Sequence, residues 1–158
     1  ALRMQWENAR RAFVDTLAAA PGLVDARLHL GRILWRLGRI DEAQASFDAV
    51  LASPADADLQ YLAHLFLGRV LEDKKKWPEA EEHYRTALAM QPRSETAAVA
   101  LSHVLFIRGD TESSWRALKE GLEMAKNRND YDPWVPYLII QTPDGEKILA
   151  ELRQAVRP

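Results

Sequence analysis

Small and large apolar residues recur along this chain at helical spacing, and the helical pattern itself repeats. Ala9, Ala43, Ala80 and Ser114 each stand four positions before a large apolar side chain, namely Phe13, Phe47, Tyr84 and Leu118. Residues i and i+4 share one helix face. Successive pairs are 34, 37 and 34 residues apart. A second series, Leu30-Gly31, Leu67-Gly68 and Leu101-Ser102, steps by 37 and then by 34. Both series carry the same three-residue insertion, so it lies between them, near residues 53–58, where Ser-Pro-Ala-Asp-Ala-Asp has loop composition. The pattern predicts helices over about 3–19, 24–37, 40–52, 58–73, 77–90, 94–108 and 111–127. A further helix over 143–156 is predicted with Thr142 as N-cap, Pro143 in its first turn and one apolar stripe of Ile148, Leu149, Leu152, Ala155 and Val156.

A period of 34 with Leu-Gly in one half and Ala-x3-Phe in the other, followed by proline at Pro21 and Pro92 and one residue early at Pro54, resembles the tetratricopeptide-repeat family over about residues 4–125. Arg27, His64 and Ala98 stand where the family usually has Trp, and Leu34, Leu71 and Leu105 where it has Tyr. In the last unit Ser102, Ser114 and Lys126 replace the usual Gly, Ala and Pro. The resemblance implies an all-α, right-handed solenoid of antiparallel helix pairs. It would hold a leading half repeat (4–21), three repeats (24–54, 58–92, 94–126) and a linker with capping helix (127–158) in a single domain.

The residue types suit that plan. Gly31, Gly68 and Ser102 permit a close helix approach, and Ala43, Ala80 and Ser114 serve the same contact from the other helix. Phe13, Phe47 and Tyr84 are expected to fill the space between neighbouring units. Gly38 and Gly109 fall between paired helices, where a positive φ ends a helix cheaply. Asp41-Glu42, Glu79 and Asp110-Thr111-Glu112 open the second helices, where carboxylates and hydroxyls satisfy free N–H groups and the helix dipole.

Composition changes this picture mainly by exclusion. The chain has 158 residues, 47% hydrophobic and 28% charged, a globular balance with room for a sizeable core. A net charge of −2 gives no global attraction to nucleic acid or anionic membrane. With no cysteine there is no disulfide, thiolate ligand or cysteine nucleophile. The longest apolar run, 135–140, is interrupted by Pro136 and falls far short of the ~20 residues of a membrane span. His29, His64, His83 and His103 form no His-x3-His pair, and His64 and His83 are read as helix-packing or surface positions, so no metal or cofactor is expected. Glu79, Glu81 and Glu82 are explained by a helix start, Lys74-Lys75-Lys76 by a solvated turn, and no phosphate loop or Gly-x-Ser-x-Gly occurs. The expectation is therefore a protein that is not an enzyme, of unassigned compartment.

Both ends pose a problem, because a solenoid needs its terminal faces covered. The chain starts at Ala1 rather than Met, and residues 4–21 match only the second half of a repeat. Either a lone helix caps the array, or upstream sequence is missing and a face around Trp6 and Phe13 is left to pair, in which case the module self-associates through that face. At the other end Asp132, Pro133, Trp134, Val135, Pro136 and Tyr137 precede the last helix. We read that segment as laid across the last repeat, with Trp134 and Tyr137 as anchors. The alternative is a docking motif for a partner.

The resemblance implies that the first helix of each pair lines a concave surface. Along 24–37 the positions left after core packing are Leu28, His29, Arg32, Trp35 and Arg36. One repeat on they become Leu65, Phe66, Arg69, Glu72 and Asp73, and then Val99, Ala100, His103, Phe106 and Ile107. An apolar column (Leu28, Leu65, Val99) beside a basic one (Arg32, Arg69, His103) predicts a groove for a protein or peptide carrying carboxylates. These positions lack the Lys and Asn set with which family members clamp acidic chaperone tails. The expected function is a protein–protein interaction scaffold.

Overall fold

In the computed structural model residues 2–125 are described, and they form seven helices: α1 (Leu2–Ala19), α2 (Val24–Arg36), α3 (Ile40–Leu51), α4 (Ala57–Asp73), α5 (Trp77–Met90), α6 (Glu95–Ile107) and α7 (Thr111–Ala125). The expected helix over 143–156 and the Trp134–Tyr137 anchors lie outside the described residues. Each of the seven helices predicted between residues 3 and 127 is found within a few residues of its expected ends, as far as the described residues reach. α2 packs on α3, α4 on α5 and α6 on α7, and each pair packs on the next, with α1 against α2.

The glycine series sets the spacing within the first two pairs. A Cβ on Gly31 would come within 2.7 Å of the Phe47 ring, and one on Gly68 would overlap the Tyr84 ring. Phe47 and Tyr84, both fully buried, thus lie on the glycine of their own pair rather than only between units as expected. Phe47 also reaches the neighbour, stacking on Phe66 with centroids 5.1 Å apart and planes 4° from parallel. The third pair is built differently. Ser102 and Ser114 meet through Oγ atoms 2.9 Å apart, and Ser114 Oγ–H also donates to the Ser102 carbonyl at 2.8 Å. There the tight contact moves to Gly121, where a Cβ would overlap that of Ala98.

The turns within pairs share one construction. At Gly38, Lys75 and Gly109 the chain enters the left-handed region with φ of 77°, 58° and 84°. The following N–H groups, of Arg39, Lys76 and Asp110, then reach back to the carbonyls of Leu34, Leu71 and Leu105 at 2.8–3.0 Å. Lys75 takes a conformation that glycine adopts in the other two pairs, at a cost that Cβ imposes on any L-residue. Asp56 and Ser94 cap α4 and α6 by accepting from Leu59 N–H and Ala97 N–H at 2.8 and 3.0 Å, and Asp110 accepts from Ser113 N–H at 3.0 Å. The three-residue insertion is not absorbed as loop. α4 begins four residues earlier in register than α2 and α6, so Ala57–Gln60 adds a helical turn behind the Asp56 cap.

Candidate functional site

Stacking the pairs sorts the first-helix positions into three kinds, and the sorting narrows the expected groove. Leu28, Leu65 and Phe66 are 0%, 2% and 1% exposed, so a partner cannot reach them. They are core residues: Phe66 is held between Phe47 and Trp35, whose ring centroid is 6.4 Å away. Arg32 is buried too, with its guanidinium over the Trp6 ring at 5.9 Å. It packs α2 against α1 and is not one of a row of open cations. Reversing its charge would test packing rather than binding. Trp35 is half-buried, and its Nε1–H donates to Asp73 Oδ2 at 2.6 Å, tying the first pair to the second. Arg36 lies over the same indole at 5.4 Å. His29 stacks on Phe13 with centroids 5.5 Å apart, and its Nε2 is 3.5 Å from Asp25. Burial holds its pKa below the ordinary imidazole value, against the pull of Asp25, and Arg32 adds to the depression.

The basic column converges on an acid. Glu72 is buried, and it accepts a short hydrogen bond from Tyr84 Oη–H of its partner helix α5. Its second oxygen is 3.1 Å from His103 Nδ1 on α6, and Arg69 Nη1 approaches the first at 3.6 Å. Burial, followed by the Glu72 carboxylate, pushes the Tyr84 phenol pKa well above its usual value, so the proton stays on tyrosine. One carboxylate thus gathers groups from α4, α5 and α6. Arg69 and His103 both face Glu72, while their side chains stay about half exposed, at 49% and 52%.

Val99 and Phe106 are 46% and 61% exposed, and Ile107 beside them 48%. What remains accessible on the first-helix face is therefore the edge of His29, then Arg36, Arg69 and His103, with Val99 and Phe106 at the far end. Two features were not anticipated. His64 and His83, 19 residues apart, meet across α4 and α5 with Nδ1 atoms 2.9 Å apart, so one ring donates and the other accepts. Burial lowers both pKa values, that of His64 to about 4 with help from His83, while Asp48 and Glu82 pull His83 the other way. Glu81, expected to serve only a helix start, is buried and ion-paired with Arg85 and with Arg108 of the next pair. The antiparallel pairing of α4 and α5 brings His64 and His83 together, and the signal in the sequence is one histidine on each of two paired helices.

Trp6 and Phe13 mark the open N-terminal face of one of the two expected alternatives. Both are half-buried and turned toward α2, where they meet Arg32 and His29; among the described side chains of α1, the large apolar ones left exposed are Met4 and Val14. Among the described residues, no group of three or more His, Asp or Glu is placed to hold a metal ion, and no helix is long and apolar enough to cross a membrane.

Known proteins resemble this chain in sequence and in fold. A tetratricopeptide co-chaperone with a J domain from Fusarium oxysporum f. sp. lycopersici is 29% identical over 121 residues, which is 74% of this chain but only 23% of that protein. This chain therefore spans about a quarter of the length of that curated relative. Among solved structures, MamA from Desulfovibrio magneticus RS-1 superimposes with a TM-score of 0.69 at 19% identity, over 80% of this chain and 70% of that one. PilF of Pseudomonas aeruginosa does so with a TM-score of 0.61 at 16% identity, over 88% and 71%. At these identities the likeness is one of fold. The family model for the tetratricopeptide repeat matches residues 5–58, 30–95 and 67–124, and with the three stacked pairs this places the chain in the tetratricopeptide-repeat family.

Proposed function

We propose that this chain is a protein–protein interaction scaffold that holds a peptide or protein segment along the first-helix face. Arg36, Arg69 and His103 are its polar contacts, and His29 and Phe106 flank them. The observation that carries the reading is the contrast within that face. Leu28, Leu65 and Phe66 are sealed in the core, while the cationic row beside them keeps about half its surface open, braced from behind by Glu72 and Tyr84. A guanidinium held by a buried acid on one side is pre-positioned for a ligand carboxylate on the other. The tetratricopeptide family and the co-chaperone relative support a protein partner. Self-association through the N-terminal face has less support, because Trp6 and Phe13 are engaged with α2.

The test is selection of peptides from a displayed library on the intact chain. Acidic or carboxyl-terminal ligands are expected, and Arg36→Glu with Arg69→Glu should lose them while the helical circular-dichroism signal is kept. Ligands that bind the double variant unchanged would place recognition elsewhere.

A further inference from the structure

At one level of the helix pairs the three repeats diverge in chemistry. Steps of 37 and 34 residues make Arg27, His64 and Ala98 equivalent on the first helices, and Ser46, His83 and Ala117 on the second. In the first pair both side chains bond locally, Arg27 to the Pro21 carbonyl at 2.8 Å and Ser46 to the Glu42 carbonyl at 3.0 Å. In the third pair both positions carry only a methyl group, and Ala98 closes on Gly121. The second pair instead sets two imidazoles against each other, with Nδ1 atoms 2.9 Å apart. Packing at this level does not call for imidazole, since methyl groups serve in the third pair. Two rings are desolvated there for a single hydrogen bond between them.

We propose that His64 and His83 form a binding site for a late first-row divalent cation of the zinc class, held through both Nδ1 atoms with water completing its coordination. Two imidazole nitrogens bound about 2.0–2.1 Å from one tetrahedral zinc ion lie about 3.3 Å apart, with ring centroids about 5.2 Å apart. The two centroids here are already 5.1 Å apart, with the planes inclined by 40°. The nitrogens therefore need to open by only about 0.4 Å, through a swing of each ring that leaves the distance between the rings unchanged. The ring that donates in the hydrogen bond passes to its Nε2–H tautomer, which frees both Nδ1 lone pairs without releasing a proton. Burial favours the neutral form of both rings, the form that ligates metal. The charged side chains that act on His83 are Asp48 of α3 and Glu82, both acids, so the local field favours a cation. Both histidines keep part of their surface in solvent, which gives an ion access. Two protein ligands are fewer than a closed structural zinc site takes, so the ion is exchangeable. When bound it ties α4 to α5 by a cross-link that the other two pairs lack.

The test is titration of the intact chain with zinc chloride at neutral pH, read from the nitrogen-15 resonances of its four imidazoles. The Nδ1 signals of His64 and His83 should move together and saturate at one ion per monomer, while those of His29 and His103 stay in place. Saturating zinc should raise the melting temperature by about 2 °C or more, and a chelator should reverse the rise. His64→Gln and His83→Gln should each abolish that rise with the helical circular-dichroism signal kept. Should either variant fail to fold, the imidazole shifts of the unmodified chain decide by themselves. Shifts confined to His29 or His103, one ion shared between two chains, or no response to millimolar zinc would each overturn the proposal.

Discussion

At the helix crossing of the second pair Gly68 lies under Tyr84, whereas the third pair sets Ser102 against Ser114 at the same level. One helical turn earlier the relation reverses. The second pair has room for two imidazoles at His64 and His83, while the third closes until Ala98 touches Gly121. Both pairs therefore contain one close approach, at different heights along the helices. What the repeat preserves is a pair of antiparallel helices with one point of backbone proximity. The residue supplying that point can move by a turn, provided that the facing side chain changes size in compensation.

Gly68→Leu should break this arrangement most severely. The new side chain meets a ring held in place by Glu72, and about 3 kcal/mol of unfolding free energy should be lost. Ser102→Ala at the equivalent level, which removes one of two hydroxyls in a local contact, should lose about 1 kcal/mol. Urea titration of both variants tests the difference, and equal losses would mean that the two pairs close at the same height. Tyr84→Phe leaves the glycine contact intact but takes one donor from the buried Glu72, so a loss of about 1–3 kcal/mol is expected. Leu118→Phe, at the same position on the half-exposed last helix, should change the urea midpoint little.

The two imidazoles make the second pair sensitive to acid. His64 and His83 have folded-state pKa values lowered from 6.5, so the unfolded chain binds protons first as pH falls. Their contribution is full above about pH 6.5 and is lost as pH falls from there toward the folded value of about 4 for His64. The melting temperature should fall between pH 7 and 4.5, and His64→Gln should flatten that slope whatever its effect at pH 7. A modest effect belongs to the turns. Lys75→Gly relieves a left-handed Lys and should gain about 0.5–1 kcal/mol, whereas Gly109→Ala at the equivalent turn should lose about 1 kcal/mol.

Much of the fold could be read from spacing alone. The two series at Gly31/Gly68 and Ala43/Ala80 located the pairs, because small residues must face each other where helices touch. The direction in which each first-helix position points could not be read the same way. Leu28, Arg32 and Trp35 lie on one broad face, and a period of 34 states only that Leu65, Arg69 and Glu72 are their equivalents. Which of them meets the next pair depends on how the pairs are inclined, and that follows from packing of the whole array. Hence Leu28 and Leu65 looked like a groove floor and are inter-pair core, while Glu72, placed in the groove by spacing, is the buried acid that holds Arg69 and His103. The shift of the tight contact to Gly121 had a sequence signal, Ser at both usual small positions, but no signal of where the compensation would fall.

The ties between pairs bear on how this rod yields under load. Pairs one and two are joined through Trp35–Asp73 and Lys74–Asp41, and pairs two and three through Glu72–His103 and Glu81–Arg108. Contact runs mainly between neighbours, so a pull on the two ends is borne by these seams in series. The seam that gives first sets the breaking force, and the segments on either side of it can remain wound. The first seam holds an indole–carboxylate bond and a lysine–carboxylate pair, whereas the second sets one buried glutamate against an imidazole and another against a guanidinium.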